Sequence, residues 1–102
     1  MTPEQLHRAE REETRWRILA TLNAGRPTSI SEHLILKVLG DIKLTATPAS
    51  LRRELDYLES RKLIEIERGP HNTWLCELTR LGVDVVEYTV PCDPGIARPP
   101  EA

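Results

Sequence analysis

Cysteine is scarce in this chain of 102 residues: Cys76 and Cys92 are the only two, 16 positions apart and with no histidine pair beside them. That spacing matches neither a zinc knuckle nor a redox C-x-x-C, so two reduced thiols are expected rather than a bridge. Aromatic residues are few, 4%. Trp16 and Trp74 are expected to anchor a core or an interface, because no basic groove accompanies them for stacking bases. No uncharged apolar stretch approaches the ~20 residues that cross a bilayer. The opening MTPEQLHRAEREE has no apolar h-region; no secretory signal and no membrane association are expected, and a cytoplasmic location follows. Gly-rich phosphate loops, nucleophile elbows and zinc motifs are missing as well. His7, His33 and His71 are scattered, and Asp84 with Glu87 has the spacing of a solvated helix face, not of an acid/base pair. The expectation is therefore a non-enzyme with no catalytic residues, no metal and no cofactor.

A basic excess is the other thing lacking. The net charge is −2, whereas a DNA-binding domain is usually basic. The first 68 residues hold twelve basic and eleven acidic groups, so the acidic excess lies in the final third. Such a balance permits nucleic-acid binding without arguing for it.

What is present is enough for one small core. Hydrophobic residues make up 39%, too many for a disordered chain, and the length allows one domain. Three segments are expected: a polar helical extension at 1–12, a folded domain at 13–88, and a proline-rich tail at 89–102. A first helix is predicted over 4–23, with Trp16, Leu19, Ala20 and Leu22 on one side and Gly25 at its end. Its polar first half reads either as a solvated extension or as an arm on a second subunit. A second helix, 30–39, is predicted from Ile30, Leu34, Ile35, Val38 and Leu39. Ser29 and Glu32 fit a capping box before it, and Gly40 with Asp41 is expected to stop it.

The third helix, 47–60, is the best marked. Thr47 caps, Pro48 suits the first turn, and Leu51, Leu55 and Leu58 face the core. Its opposite face then carries Ala49, Arg52, Arg53, Asp56, Tyr57 and Ser60. The period next changes to two: 63–67 and 73–78 alternate around a Gly69–Asn72 turn, a hairpin that must pack on the helices. A short helix over 79–88 follows, with Leu81, Val85 and Tyr88 on one face. The four prolines after Val90 make the end a loose tail or a strap. The fold class expected is α+β, mainly helical with a small hairpin.

Leu55, Leu58, Leu63, Ile64, Leu78, Thr79 and Gly82 match the x-L-x-x-L helix, the K-L-I strand start and the closing L-T-x-x-G of bacterial winged helix-turn-helix regulators. The chain also resembles small ArsR-like proteins of Mu-like phages and prophages. It shares with them Glu12, Ile18, Leu19 and Leu22, then Arg52, Leu55, Tyr57, Leu58 and Glu59. The ending matches as well: Leu78 to Gly82, Asp84, Val85, Glu87, Val90, Pro91, Pro94, Gly95, Ile96, Arg98 and Pro99. The resemblance implies a dimeric transcriptional regulator in a bacterial host that reads duplex DNA with its third helix and wing. Carried over by position, the third-helix candidates are Thr47, Ser50, Arg52, Arg53 and Tyr57, and the wing candidates are Arg68, His71 and Asn72. Lys43 joins them if a continuous positive stripe runs through Arg52, Arg53 and Arg68. The recognition-side helix lacks the paired cysteines of ArsR-type metal sensors, so metal sensing is not implied.

Two readings stay open. Arg52 and Arg53 either contact DNA or are simply solvated or paired with Asp56 and Glu59 at helical spacing. Correspondingly, the chain is either a DNA-binding regulator or a winged-helix module that docks a phage or host protein, for instance in assembly or DNA packaging. The homodimer expected from the resemblance would use the first helix and the tail. An uninterrupted positive stripe favours DNA; acidic side chains breaking it favour the docking module.

Overall fold

In a computed structural model describing residues 1–69 and 71–101, the chain is α+β: four helices and one small antiparallel sheet. Helix α1 spans Pro3–Ala24, strand β1 Ile30–Ser31, α2 Glu32–Asp41, α3 Pro48–Ser60, β2 Ile64–Arg68, β3 Trp74–Leu78 and α4 Arg80–Val86. No described helix is long and apolar enough to cross a membrane. The hairpin turn, including Gly69, His71 and Asn72, flanks Pro70, which lies outside the described residues.

Strand β1 is an addition to the expected hairpin. The sheet has three strands in the order β1-β3-β2, with Ile30 opposite Cys76 and Ser31 opposite Leu75. This corrects the capping box at Ser29 and Glu32. Ile30 and Ser31 are taken by the sheet, Ser31 caps α2 by accepting the Leu34 N–H at 3.2 Å, and Glu32 is buried. The alternation along β2 and β3 sorts their side chains as expected. Ile64, Ile66 and Arg68 lie opposite Leu78, Cys76 and Trp74, while Glu65 lies opposite Glu77. One face thus closes the core and the other is acidic.

Ile18, Leu19 and Leu22 of α1, Ile35 and Leu39 of α2, and Leu51, Leu55 and Leu58 of α3 meet Ile64 and Cys76 in the core. Within α4 the inward residues are Gly82, Val83 and Val85. Leu81, assigned to the apolar face from sequence, is 42% exposed, and Tyr88 lies beyond the helix with φ 63°. The helix is too short to carry a face through Tyr88. Thr79 sets its phase by accepting the Gly82 N–H at 3.0 Å.

Three helices end in the same way. The residue after each cap is left-handed although it is not glycine: Lys43 (φ 67°), Lys62 (φ 67°) and Tyr88 (φ 63°). The following N–H groups reach back five residues, Leu44 to the Leu39 carbonyl, Leu63 to Leu58 and Thr89 to Asp84, at 2.9, 3.1 and 2.9 Å. These are Schellman closures. They correct the expectation that Gly40 and Asp41 stop α2: both lie inside the helix, and Lys43 makes the turn. Left-handed backbone costs a side chain about 1 kcal/mol. Lys62→Gly is accordingly expected to raise stability by about 1 kcal/mol in chemical denaturation.

Beyond α4 the chain is a strap, not a loose tail. The Ala97 N–H donates to the Glu12 carbonyl at 3.1 Å, and Tyr88 Oη donates to the Pro99 carbonyl at 2.7 Å. Arg98 Nη1 donates to the carbonyls of Val85 and Val90, both at 2.9 Å. Ile96 plugs the core at 9% exposure. Ile96→Ala is expected to cost about 2 kcal/mol, the low end for a buried isoleucine because the site lies at the core margin. A thermal midpoint unchanged from wild type would show that the strap contributes nothing.

Candidate functional site

The nine residues singled out from sequence do not form one surface. Arg52, Arg68 and Asn72 come together, but both arginines are engaged by neighbouring carboxylates. Arg52 grips Glu32 with both ends of its guanidinium, Nε to Oε1 at 2.8 Å and Nη2 to Oε2 at 2.7 Å. Its Nη2 also donates to the Asn72 carbonyl at 2.8 Å. Arg68 Nη2 binds Asp56 at 2.8 Å and Glu59 at 3.0 Å. The Trp74 ring lies under both, each guanidinium carbon 4.4 Å from its centroid. The result is a cation–π and ion-pair stack that fastens the β2–β3 hairpin to α2 and α3.

The alternative in which Arg52 and Arg53 pair with Asp56 and Glu59 along α3 is corrected, whereas the solvated alternative agrees with the exposed Arg53. Those two carboxylates are taken by Arg68 from the hairpin. A guanidinium from another element reaches them at 2.8 and 3.0 Å and orders no additional helix side chain. Arg52 is occupied across elements, and Arg53 is exposed with no ion pair among the described residues.

The remaining candidates are dispersed. Thr47 and Ser50 cap α3 reciprocally, each side chain taking the other's backbone N–H, at 3.0 and 2.9 Å. Lys43 is exposed at the α2 closure, and His71 is exposed in the turn. Tyr57 is half-buried beneath the strap. Arg15 stacks on its ring at 3.7 Å while donating to Glu54 and to the Gly95 carbonyl, each at 2.8 Å. Gly95 has φ 103°, and a Cβ there would sit 2.5 Å from the Tyr57 hydroxyl. Tyr57 is therefore a packing residue.

The acidic groups set the electrostatics. Glu65 and Glu77 stand opposite each other on the outer sheet face, with Glu67 next to them along β2. The Arg52 fork holds Glu32 below the usual carboxylate range, the Trp74 N–H assisting and burial opposing. Arg68 holds Glu59 down in the same way. Burial pushes the Cys76 thiol up to about 12 and Cys92 upward in the same direction. Both cysteines are free, and buried high-pKa thiols are poor nucleophiles. Among the described residues no group of three His, Cys, Asp or Glu side chains is placed to hold a metal.

Sequence reasoning anticipated Trp74 as an anchor but missed Glu32 and Arg15 as organising residues. Each acts through partners 20 to 80 positions away, which helical and strand periodicity does not register. Comparison with protein-family models, with curated proteins and with solved structures gives no match.

Proposed function

We propose that this chain is a winged-helix-type interaction module whose partner is a protein. One observation carries the reading: Arg52 and Arg68, the cations that α3 and the hairpin would need to offer DNA, are both spent on internal carboxylates. Binding to duplex DNA draws its affinity from cations free to replace counterions along the phosphates. A guanidinium already neutralised by Glu32, or by Asp56 and Glu59, releases few. Glu65, Glu67 and Glu77 on the outer face of the hairpin add repulsion where a wing would rest on the backbone. With the order helix, helix, helix, hairpin and the closing motif from Leu78 to Gly82, the reading is a phage or prophage protein that uses the winged-helix scaffold for assembly contacts. Self-association would use the exposed first half of α1, where Leu6 is 48% exposed.

A second reading is DNA recognition without the hairpin, through Thr47, Ser50 and Arg53 at the start of α3 and Lys43 at the α2 closure. The specific observation in its favour is that Arg53 is exposed and unpaired among the described residues. A salt titration of binding to fluorescent duplex DNA separates the two. The variant to compare is Lys43→Ala/Arg53→Ala, because removing Arg52 would also unfasten the hairpin. The docking reading expects no salt-dependent duplex binding down to about 50 mM salt. Tight binding that weakens steeply with salt and is lost in the double variant would overturn it in favour of α3 as a reader.

A further inference from the structure

Charge pairing on α1 and α3 leaves a specific gap. Along α1, Arg8 pairs with Glu12 at 3.7 Å, Arg17 with Glu13 at 2.8 Å, and Arg15 with Glu54 of α3 at 2.8 Å. These pairs use up two of the four acids of α1 and the one buried acid of α3. Arg11 and Arg53 are left with no carboxylate among the described residues. Both line the same open cleft of about 200 Å³, between the first half of α1, the α2–α3 connection and the start of α3. His7, Thr45 and Ser50 line it too, and Glu10 is its only acid not engaged in an ion pair.

We propose that this cleft is a phosphate-binding site, with Arg11 and Arg53 as paired guanidinium ligands and His7 at its rim. Arg11 and Arg53 come from different helices and both line the cleft, so an anion seated there would be met by a cation from each. Their planar forks suit tetrahedral phosphate oxygens, which take two parallel N–H bonds from each. The walls are stiff on one side, where Thr14 donates to the Glu10 carbonyl at 2.8 Å and Ser50 is locked in the α3 cap. The proposal does not rest on the docking reading, since a protein-docking module and a DNA reader would each accommodate such a site. The phosphate is either a free phosphorylated small molecule or a backbone phosphate of nucleic acid.

The test is calorimetric titration of the full chain with inorganic phosphate and pyrophosphate at low salt. Arg11→Gln and Arg53→Gln are compared with Arg26→Gln, which removes an equal charge outside the cleft. Both cleft arginines are exposed, so neither variant endangers the fold. The expected result is saturable pyrophosphate binding, weakened at least tenfold in each cleft variant and unchanged in Arg26→Gln. No binding to wild type, or equal weakening in all three variants, overturns the proposal. Displacement of pyrophosphate by a short duplex assigns the site to backbone phosphate. Persistence of pyrophosphate in the presence of duplex assigns it to a free phosphorylated ligand. Absence of pyrophosphate binding by the wild-type chain refutes the cleft alone, because the docking reading is tested separately by the duplex DNA titration.

Discussion

Glu32→Ala is expected to destabilise the fold by about 2 kcal/mol. The Glu32 carboxylate is 6% exposed and receives three donors: Nε and Nη2 of Arg52 and the Trp74 N–H, at 2.8, 2.7 and 2.7 Å. Truncation leaves the start of β3 with an unpaired N–H and frees the arginine whose stacking holds Trp74. Breaking one partner of such a set costs more than the set is worth against an apolar replacement, because the surviving polar groups stay desolvated. For a domain of this length the loss corresponds to a thermal midpoint lower by roughly 10 °C. Glu32→Gln keeps an acceptor and the side-chain volume and is expected to lose less. A Glu32→Ala midpoint within 2 °C of wild type would show that the stack is decoration on a hairpin held by Ile64, Ile66 and Cys76 alone.

The same carboxylate gives the fold a pH signature. Glu32 and Glu59 are held below the ordinary carboxylate value in the folded state. Stability from a lowered pKa is fully present above the unfolded-state value, about 4.3, and drains away as pH falls through the folded-state value. Denaturant midpoints should therefore be flat near neutrality and drop below about pH 4.3, the drop being shallower in Glu32→Gln.

How much of this was legible in the sequence depends on the range of the interaction. The start of α3 was readable from Thr47-Pro48 and its inward face from Leu51, Leu55 and Leu58, because caps and helical periods are local. The strand alternation from Ile64 and from Trp74 was readable for the same reason. The strand at Ile30 was not, since two residues show no period and pair only because β3 offers a free edge. A local signal was present but unread at two helix ends. Leu39–Leu44 and Leu58–Leu63 both spell L-x-x-x-K-L, the spacing that a Schellman closure with a left-handed lysine requires.

The candidate site was least legible. Arg52 and Arg68 were sorted by charge, and charge alone does not say whether a cation points at solvent or at Glu32. The buried acid looked like a capping residue, so its need for a partner went uncounted.

Gly82→Ala and Gly40→Ala should move stability in opposite directions, although helix propensity favours alanine at both by about 1 kcal/mol. Gly40 lies in α2 with open space where a Cβ would go. There the propensity gain stands, and a rise of about 0.5–1 kcal/mol is expected. Gly82 lies in the first turn of α4, and its Cβ would collide with the Leu63 carbonyl oxygen, with Leu78 Cδ2 only 3.1 Å away. That carbonyl accepts the Thr79 N–H at 3.0 Å. Relief of the clash must therefore separate α4 from the start of β2 and pull at the hydrogen bond that sets the helix cap. Backbone cannot swing aside as a side-chain tip can, so overpacking of about 2–3 kcal/mol outweighs the propensity gain. The net expectation for Gly82→Ala is a loss of at least about 1 kcal/mol in denaturant titration. Opposite signs would establish that close approach of two backbones, and not helix propensity, fixes glycine in the L-T-x-x-G segment. A gain at both positions would mean that α4 has room to shift and that its docking on β2 is looser than the Thr79–Leu63 bond implies.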